Sequence, residues 1–303
     1  MRHLLTTTFI LAAAAAQAEA PRVVADIAPV HSLVAQVMDG VAVPGLIVPP
    51  GADAHHMALR PSDASNLSQA DVVIWVGADL TPWLVDPLAT LAPKAATLTL
   101  LDAPGWTPRA APDYRDAEHH DAEGHEAEGH HHDRDPHAWL DPEIASVWVG
   151  AIRDTLATTD PDNAMTYAAN AEKALAGLAA LRKTITTDLS GLPGGTWVAP
   201  HDAFGYFEKR FDLPAGGAIS DSEAEEPGPA HLSDLRAQVK AGEITCVLSE
   251  TNAPTRYANL LTEGTAARQA VIDDTGMTLT PGPALYAELL TGIATTLKTC
   301  IQP

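Results

Sequence analysis

Residues 160–191 read DPDNAMTYAANAEKALAGLAALRKTITTDLSG, and this stretch predicts one long helix in the middle of the chain. Apolar residues recur along it every three or four positions, which is the spacing of one helix face. Asp160 followed by Pro161 is suited to a helix start, and Gly191 is suited to a helix end. A helix of about thirty residues is ~45 Å long, which exceeds what one small lobe requires. We therefore expect residues 159–191 to form a rigid connection between two lobes.

On both sides of this helix, short β-branched runs alternate with helix-like segments. The run Asp-Val-Val-Ile-Trp-Val at 71–76 is almost entirely apolar, as a strand buried on both faces should be. Strands that alternate with helices indicate parallel sheets covered by helices. The sequence thus predicts an α/β protein of two lobes, each a parallel sheet flanked by helices, joined by one long rigid helix. The N-terminal lobe is expected at 19–158 and the C-terminal lobe at 192–303, with strands at 22–27, 45–48, 71–76, 97–101, 196–199, 218–220, 245–249 and 270–272.

The first 18 residues have the pattern of a secretory signal. A short basic start precedes an uncharged apolar run at 4–16, and alanines occupy positions 16 and 18. The run is too short to cross a bilayer, which takes about 20 apolar residues. We expect cleavage after Ala18 and release of a soluble chain into an exported compartment, for which the bacterial periplasm fits best.

Charge and cysteine content narrow the function further. The formal net charge is −21, which argues against a nucleic-acid partner because phosphates require a basic face. The same charge suits the capture of cations, although solubility alone would account for most of it. Cys246 and Cys300 are far apart in sequence, and in an oxidising compartment such a pair favours a disulfide over a metal site. We expect a monomer with this disulfide.

Residues 113–135 interrupt the alternation of strands and helices. They hold six histidines and nine acidic residues with almost nothing apolar, so burial cannot offset the entropy of ordering them. We expect a disordered loop that binds divalent metal weakly and without fixed geometry, as an accessory element. An inert, solvated charge run is the competing interpretation. The loop histidines are His119, His120, His125, His130, His131 and His132.

Three further histidines lie where strand-end loops are expected. His55 follows a turn rich in proline and glycine, His137 lies in DPHAWLDP (135–142), and His201 ends a predicted strand. In open α/β sheets, ligands bind at the carboxyl ends of the strands, so these histidines could converge on one metal between the lobes. Three imidazoles also suit a catalytic zinc. The chain has neither a His-Glu-x-x-His nor a Gly-x-Ser-x-Gly sequence, however, and a binding protein is favoured over an enzyme.

Five stretches form a set with a regular order and spacing. They are HHMALRPSD (55–63), ADVVIWVG (70–77), HAWLDPE (137–143), HDAFGYFE (201–208) and TCVLSE (245–250). In this set the chain resembles the periplasmic solute-binding proteins for zinc and manganese, and most closely the ZnuA-type zinc receptors of ABC importers. The resemblance covers nearly all of the chain after the signal. It implies two α/β lobes joined by one rigid helix, a metal between the lobes, an inner-membrane ABC permease as partner, and no enzymatic activity.

Residue by residue, the resemblance implies metal ligands at His55, His137 and His201. Manganese receptors usually carry a carboxylate at the third of these positions, so the histidine there favours zinc. The fourth ligand is expected to be Asp273, at the end of a late strand, with water as the alternative. The family's histidine-rich loop matches 113–135, and its cysteine pair matches the two cysteines of this chain.

Together these features predict a periplasmic zinc receptor. It would capture Zn(II) in the cleft between its lobes and deliver the ion to an ABC-type zinc permease. Two alternatives stay open at this point: a periplasmic zinc chaperone or store that is not coupled to an importer, and a manganese receptor.

Overall fold

Two parallel four-stranded sheets form the framework of the protein. A computed structural model describes residues 19–110, 134–192, 196–214, 216–220, 226–251 and 255–302. The sheets have the strand orders β2-β1-β3-β4 and β6-β5-β7-β8, and every pairing is parallel. All the predicted strands are present, and the predicted α/β architecture is confirmed. The strands are β1 (Val23–Ala25), β2 (Gly45–Leu46), β3 (Val72–Trp75), β4 (Ala96–Thr99), β5 (Thr196–His201), β6 (Gly217–Ser220), β7 (Ile244–Glu250) and β8 (Arg268–Ile272).

Helices cover both sheets. In the first half they are α1 (Ala28–Val37), α2 (Pro61–Ser68), α3 (Val85–Leu91) and α4 (Pro142–Thr159). In the second half they are α5 (Ala164–Leu189), α6 (Gly205–Phe211), α7 (Pro229–Ala241), α8 (Arg256–Thr262) and α9 (Leu285–Ile301). Within the described ranges, no helix combines the length and apolar character that crossing a bilayer requires.

The predicted long helix is confirmed as α5, which has 26 residues. It begins at Ala164, inside the expected 159–191 range, because Pro161–Asn163 forms a separate 3₁₀ turn. At about 1.5 Å per residue α5 is ~39 Å long. Its buried face packs against α1, α4 and α9, so that it contacts helices from both halves of the chain. The hydroxyl of Tyr167 donates to Oδ2 of Asp160 at 2.8 Å and fixes the start of the helix.

The helix α4 is absent from our sequence prediction, although its signals are present. Asp141 is its N-cap and accepts a hydrogen bond from the backbone N–H of Glu143 at 2.8 Å. Pro142 follows at the first helical position, where its missing N–H costs nothing. The buried face repeats at helical spacing through Ile144, Trp148, Val149, Ile152 and Leu156. These buried residues pack α4 along α5 and place the segment before α4, which contains His137, next to the second lobe.

The Cys246–Cys300 disulfide is present and joins β7 to α9, with 5.5 Å between the two Cα atoms. It closes 54 residues of chain, and the chain-entropy model assigns such a loop about 4 kcal/mol of stabilisation. The disulfide therefore holds the last helix against the second sheet.

The last helix also returns to the first lobe and orders the segment around His137. The backbone N–H of Tyr286 donates to Oγ of Ser32 at 3.0 Å, and the phenolic hydroxyl of Tyr286 donates to the carbonyl of Trp139 at 2.6 Å. Nε1 of Trp139 donates to the carbonyl of Asp274 at 2.8 Å. These contacts fix the 137–140 segment of the first lobe against the end of β8 in the second lobe.

Candidate metal centre

Three histidines from the two lobes come together between the sheets. His55 follows β2, His137 directly precedes a 3₁₀ turn at Ala138–Leu140, and His201 is the last residue of β5. One nitrogen from each imidazole lies within 4.8 Å of the nitrogens from the other two. The ring centroids of His137 and His201 are 5.2 Å apart, and that of His55 lies 5.5 Å from the first and 6.2 Å from the second. The structure thus brings the three histidines of the predicted site to one point.

Asp135 orients the imidazole of His137. Its Oδ1 accepts the backbone N–H of His137 at 3.0 Å and lies 2.9 Å from ring Nδ1. A carboxylate acceptor at this position favours the tautomer with its proton on Nδ1, in which Nε2 is the nitrogen that can bind a metal. Asp135 and His137 are both buried, which keeps water from competing for this contact. Carboxylates hold metal-binding histidines in this way and fix both tautomer and ring orientation.

Glu250 plays the same part for His201. Its Oε1 lies 2.6 Å from Nδ1 of His201. Glu250 ends β7 and His201 ends β5, and these two strands are parallel neighbours, so their carboxyl ends lie side by side. Nε2 of His201 is thereby presented to the point where the three histidines meet.

The Nε2 atoms of His137 and His201 lie 3.4 Å apart. With the protons on Nδ1, two imidazole lone pairs converge, an arrangement that is repulsive until a cation or a proton lies between them. A tetrahedral zinc ion with Zn–N bonds of about 2.0–2.1 Å separates its ligand nitrogens by about 3.3–3.4 Å. The spacing of the two nitrogens therefore already fits one zinc ion.

The segment that carries His55 is held at two points. The indole Nε1 of Trp83 donates to the carbonyl of Ala54 at 2.8 Å, and Oδ1 of Asp53 accepts the backbone N–H of His55 at 2.7 Å. His56 points outward: its side chain is 59% exposed and its Nδ1 lies 3.2 Å from Oδ2 of Asp53. His55 rather than His56 therefore faces the other two histidines.

Among the described residues, the structure does not group Asp273 with the three histidines. Its Oδ1 instead accepts the backbone N–H groups of Gly276 at 2.7 Å and Met277 at 3.0 Å, and its Oδ2 accepts that of Thr278 at 3.2 Å. These contacts close the turn after β8. The expectation that Asp273 binds the metal stays a prediction, and the geometry favours a different carboxylate.

That carboxylate is Asp274, which the sequence analysis did not select. Its Oδ2 lies 3.9 Å from Nε2 of His201, and its side chain is 4% exposed. Burial raises the pKa of the Asp274 carboxyl above its ordinary value, His201 lowers it and Glu250 raises it. Asp274 also lies outside the group of three histidines, but a small movement of this buried carboxylate toward His201 could complete the donor set of a four-coordinate site. The two aspartates are adjacent and directly follow β8, so sequence alone could not tell which of them faces inward.

The accessory loop stays a prediction, because His119, His120, His125, His130, His131 and His132 lie outside the described residues. The expected loop extends two residues too far, however. Arg134 forms an antiparallel bridge with Ala110, and Asp135 is 2% exposed, so these two residues belong to the ordered fold. Only Arg134 separates the segment 111–133 from Asp135, the residue that orients His137.

Glu208, on α6, carries a partly buried carboxyl. Its Oε1 accepts the backbone N–H of Gly216 at 2.6 Å. Burial, helped by the negative charge of Asp202, raises the pKa of Glu208 from 4.5 to about 7. The folded protein therefore binds a proton here that the unfolded chain releases at lower pH.

We expect this proton to make folding pH-dependent. The stabilisation is fully present below pH ~4.5 and is lost as the pH rises through about 7, because the folded-state pKa of Glu208 is the higher one. In Glu208→Gln, whose amide oxygen can still accept the Gly216 N–H, this loss should disappear. The wild type should lose on the order of 2 kcal/mol relative to the variant between pH 5 and pH 8. Urea unfolding of the metal-free proteins across this range measures it, and parallel stability curves would contradict the assignment.

Two α/β lobes on one long helix, with three histidines between them, define a metal receptor of the solute-binding class. The chain belongs to the family described as ZnuA, zinc-uptake complex component A, periplasmic, whose model matches residues 23–300. The predicted family is thereby confirmed.

Two curated relatives match this chain over almost their whole length. The high-affinity zinc uptake system protein ZnuA of Paracoccus denitrificans is 40% identical over 311 aligned residues, which cover 96% of this chain and 94% of the relative. The protein of the same description from Yersinia pestis is 31% identical, covering 99% of this chain and 95% of the relative.

Solved structures agree in fold. A crystal structure of ZnuA superposes with a TM-score of 0.78 at 21% identity, covering 93% of this chain and 99% of that one. A zinc-bound deletion mutant of ZnuA gives the same TM-score of 0.78 at 22% identity, covering 94% and 99%. At such identities the likeness establishes the two-lobed fold.

Proposed function

We propose that this chain captures Zn²⁺ between its lobes through His55, His137 and His201 and delivers it to an ABC-type permease in the inner membrane. The observation that carries the proposal is the pair of Nε2 atoms 3.4 Å apart, each on a ring whose Nδ1 meets a buried or half-buried carboxylate. This arrangement has the spacing that a tetrahedral zinc ion requires and the carboxylate partners that metal-binding histidines use. Membership of the zinc-uptake family supports the same ion and the same destination.

The donor set favours zinc over manganese. Imidazole nitrogens suit zinc, whereas Mn²⁺ prefers sites dominated by carboxylate and water oxygens. Three imidazoles and one carboxylate, which we propose to be Asp274, form the nitrogen-rich alternative. The two carboxylates on the Nδ1 atoms raise the basicity of the ligands and offset part of the charge of the ion.

The cellular setting follows from the family and from the N-terminal sequence. We propose that residues 1–18 are removed on export, that the two lobes extend over 19–158 and 192–303 around the 159–191 connection, and that the chain acts as a monomer. The relatives are zinc-uptake proteins, and delivery rather than turnover is the role we assign, so we propose no catalytic activity. The histidine-rich loop is proposed to hold further zinc weakly.

Metal titration of the purified chain tests the binding part of this proposal. The full chain should bind one zinc tightly and more zinc weakly, and a variant lacking residues 116–132, which include all six loop histidines, should keep only the tight site. This deletion spares Arg134 and Asp135, which hold contacts in the fold. Competition with a chromophoric chelator, carried out once with Zn²⁺ and once with Mn²⁺, measures the number of ions bound and the relative affinity for the two metals. Loss of the tight site on deletion, or equal affinity for the two ions, would overturn it.

Growth under zinc limitation tests the delivery part. A strain lacking this chain should grow poorly with a zinc chelator and recover when the chain is restored. The same restoration should fail in a strain that lacks the zinc permease. Recovery without a permease would instead assign the chain to zinc storage or to supply of periplasmic apo-proteins.

A further inference from the structure

The two chain segments that flank residues 111–133 form a short stem, which we define as Arg109, Ala110, Arg134 and Asp135. Ala110 and Arg134 form an antiparallel bridge, and the backbone N–H of Asp135 donates to the carbonyl of Arg109 at 3.0 Å. A side chain from the other lobe joins the two segments a second time. The hydroxyl of Tyr206 accepts the backbone N–H of Arg109 at 2.8 Å and donates to the carbonyl of Asp135 at 3.1 Å.

The side chain of Arg109 crosses the same boundary between the lobes. Its Nη1 donates to Oδ2 of Asp135 at 3.1 Å, and its guanidinium carbon lies 5.5 Å from the centroid of the Tyr206 ring. The guanidinium occupies space above Gly205, the first residue of α6: a Cβ atom there would lie 1.4 Å from Nη1. Glycine at 205 is therefore what allows the arginine to lie in this position.

Asp135 thus serves two partners with its two oxygens. Oδ1 holds the backbone N–H and ring Nδ1 of His137, and Oδ2 holds Arg109. A buried carboxylate is costly without a charged or hydrogen-bonding partner on each oxygen. Without Arg109, Oδ2 would lose its cationic partner, and the carboxylate would be expected to turn away from the geometry that orients His137.

We propose that Arg109 is a positioning residue of the zinc site. It acts through Asp135 on His137, and its contact with Gly205 and Tyr206 makes that action depend on the second lobe. This inference rests on the proposed zinc site and adds to it a link between the lobe interface, the stem and one metal ligand. The consequence is that zinc held between the lobes is released faster when the guanidinium is displaced.

The stem provides a matched control. Arg134 is the other arginine of the stem and also forms two ion pairs, with Asp79 at 2.7 Å and with Asp102 at 2.7 Å. Both of its partners belong to the first lobe, and neither is grouped with the three histidines. Arg134→Ala therefore weakens the stem without removing a partner of Asp135.

The experiment compares Arg109→Ala, Gly205→Ala, Arg109→Lys and Arg134→Ala in the full chain. The zinc affinity should fall ten- to a hundredfold in Arg109→Ala, the size typical for loss of an outer partner of a metal ligand. Gly205→Ala keeps every charge but displaces the guanidinium, so the zinc affinity of this variant should fall by a similar factor. Arg109→Lys should recover part of the loss, and Arg134→Ala should stay within about threefold of the wild type.

Three readouts separate positioning from a general loss of structure. Chelator competition gives the affinity, transfer of zinc to excess chelator gives the dissociation rate, and the visible absorption of bound Co²⁺ reports the ligand geometry. We expect faster dissociation and an altered Co²⁺ spectrum in Arg109→Ala and Gly205→Ala, at unchanged helix content. Equal losses in Arg109→Ala and Arg134→Ala, or wild-type values in Gly205→Ala, would overturn the inference. Absence of tight zinc binding by the wild type would instead overturn the proposed function.

Discussion

Replacing His137 or His201 by alanine is expected to weaken zinc binding by at least two orders of magnitude. Structural zinc sites contribute about 10–16 kcal/mol through four ligands, so one ligand accounts for roughly 3 kcal/mol, or about a hundredfold in affinity. The true loss should be larger for these two, because their Nε2 atoms already lie 3.4 Å apart and form the preorganised part of the site. Competition with a chelator of known zinc affinity measures the loss for each purified variant.

His231 supplies the control for these substitutions. Its Nε2 lies 2.8 Å from the carbonyl of Ala218, at the start of α7 and away from the three histidines. His231→Ala removes an imidazole from the same lobe as His201, and its zinc affinity should equal that of the wild type within about threefold. Urea unfolding of each metal-free variant separates lost ligation from lost structure. If all three variants lost the same affinity, the three-histidine site would be wrong.

Most strands and the long helix could be predicted from the local spacing of apolar residues. The central strands β1, β3, β5 and β7 are largely apolar and buried, and parallel strands leave this signature where helices cover both faces of the sheet. The α5 helix was readable because its apolar positions repeat over 26 residues without an internal proline. The exact first residue of α5 could not be predicted, since Asp160-Pro161 begins a 3₁₀ turn as readily as an α-helix.

The metal site was readable only in part. Strand-end position and family resemblance identified the three histidines, which the structure groups together. Their partners were harder to select, because contacts such as that between His201 and Glu250 join residues 49 positions apart. Asp135 had a local signal, an aspartate two residues before a histidine, which permits a carboxylate to accept both the backbone N–H and Nδ1. Arg109 has no local sequence signal, since the positioning role proposed for it depends on the space above Gly205 in the other lobe.

The choice between the two adjacent aspartates leads to the second large effect. Asp274→Ala is expected to lower the zinc affinity about a hundredfold, because it would remove the only negatively charged member of the proposed donor set. Oδ2 of Asp274 lies 3.9 Å from Nε2 of His201, so a shift of roughly half an ångström brings the two atoms to the spacing of ligands on one zinc ion. Asp274→Asn keeps the size of the side chain and should lose less.

Asp273→Ala is the matched comparison, since it removes an identical carboxylate one residue away. Its oxygens hold the turn at 275–278 through the backbone N–H groups of Gly276, Met277 and Thr278. We therefore expect Asp273→Ala to lower the free energy of unfolding by about 1–3 kcal/mol, the cost of leaving such groups without their acceptor, while its zinc affinity changes only a few-fold. Asp274→Ala should thus change mainly the zinc affinity, and Asp273→Ala mainly the free energy of unfolding. A large loss of affinity in Asp273→Ala with none in Asp274→Ala would reverse the assignment and place the turn aspartate on the metal, and unchanged affinity in both would leave water as the fourth ligand.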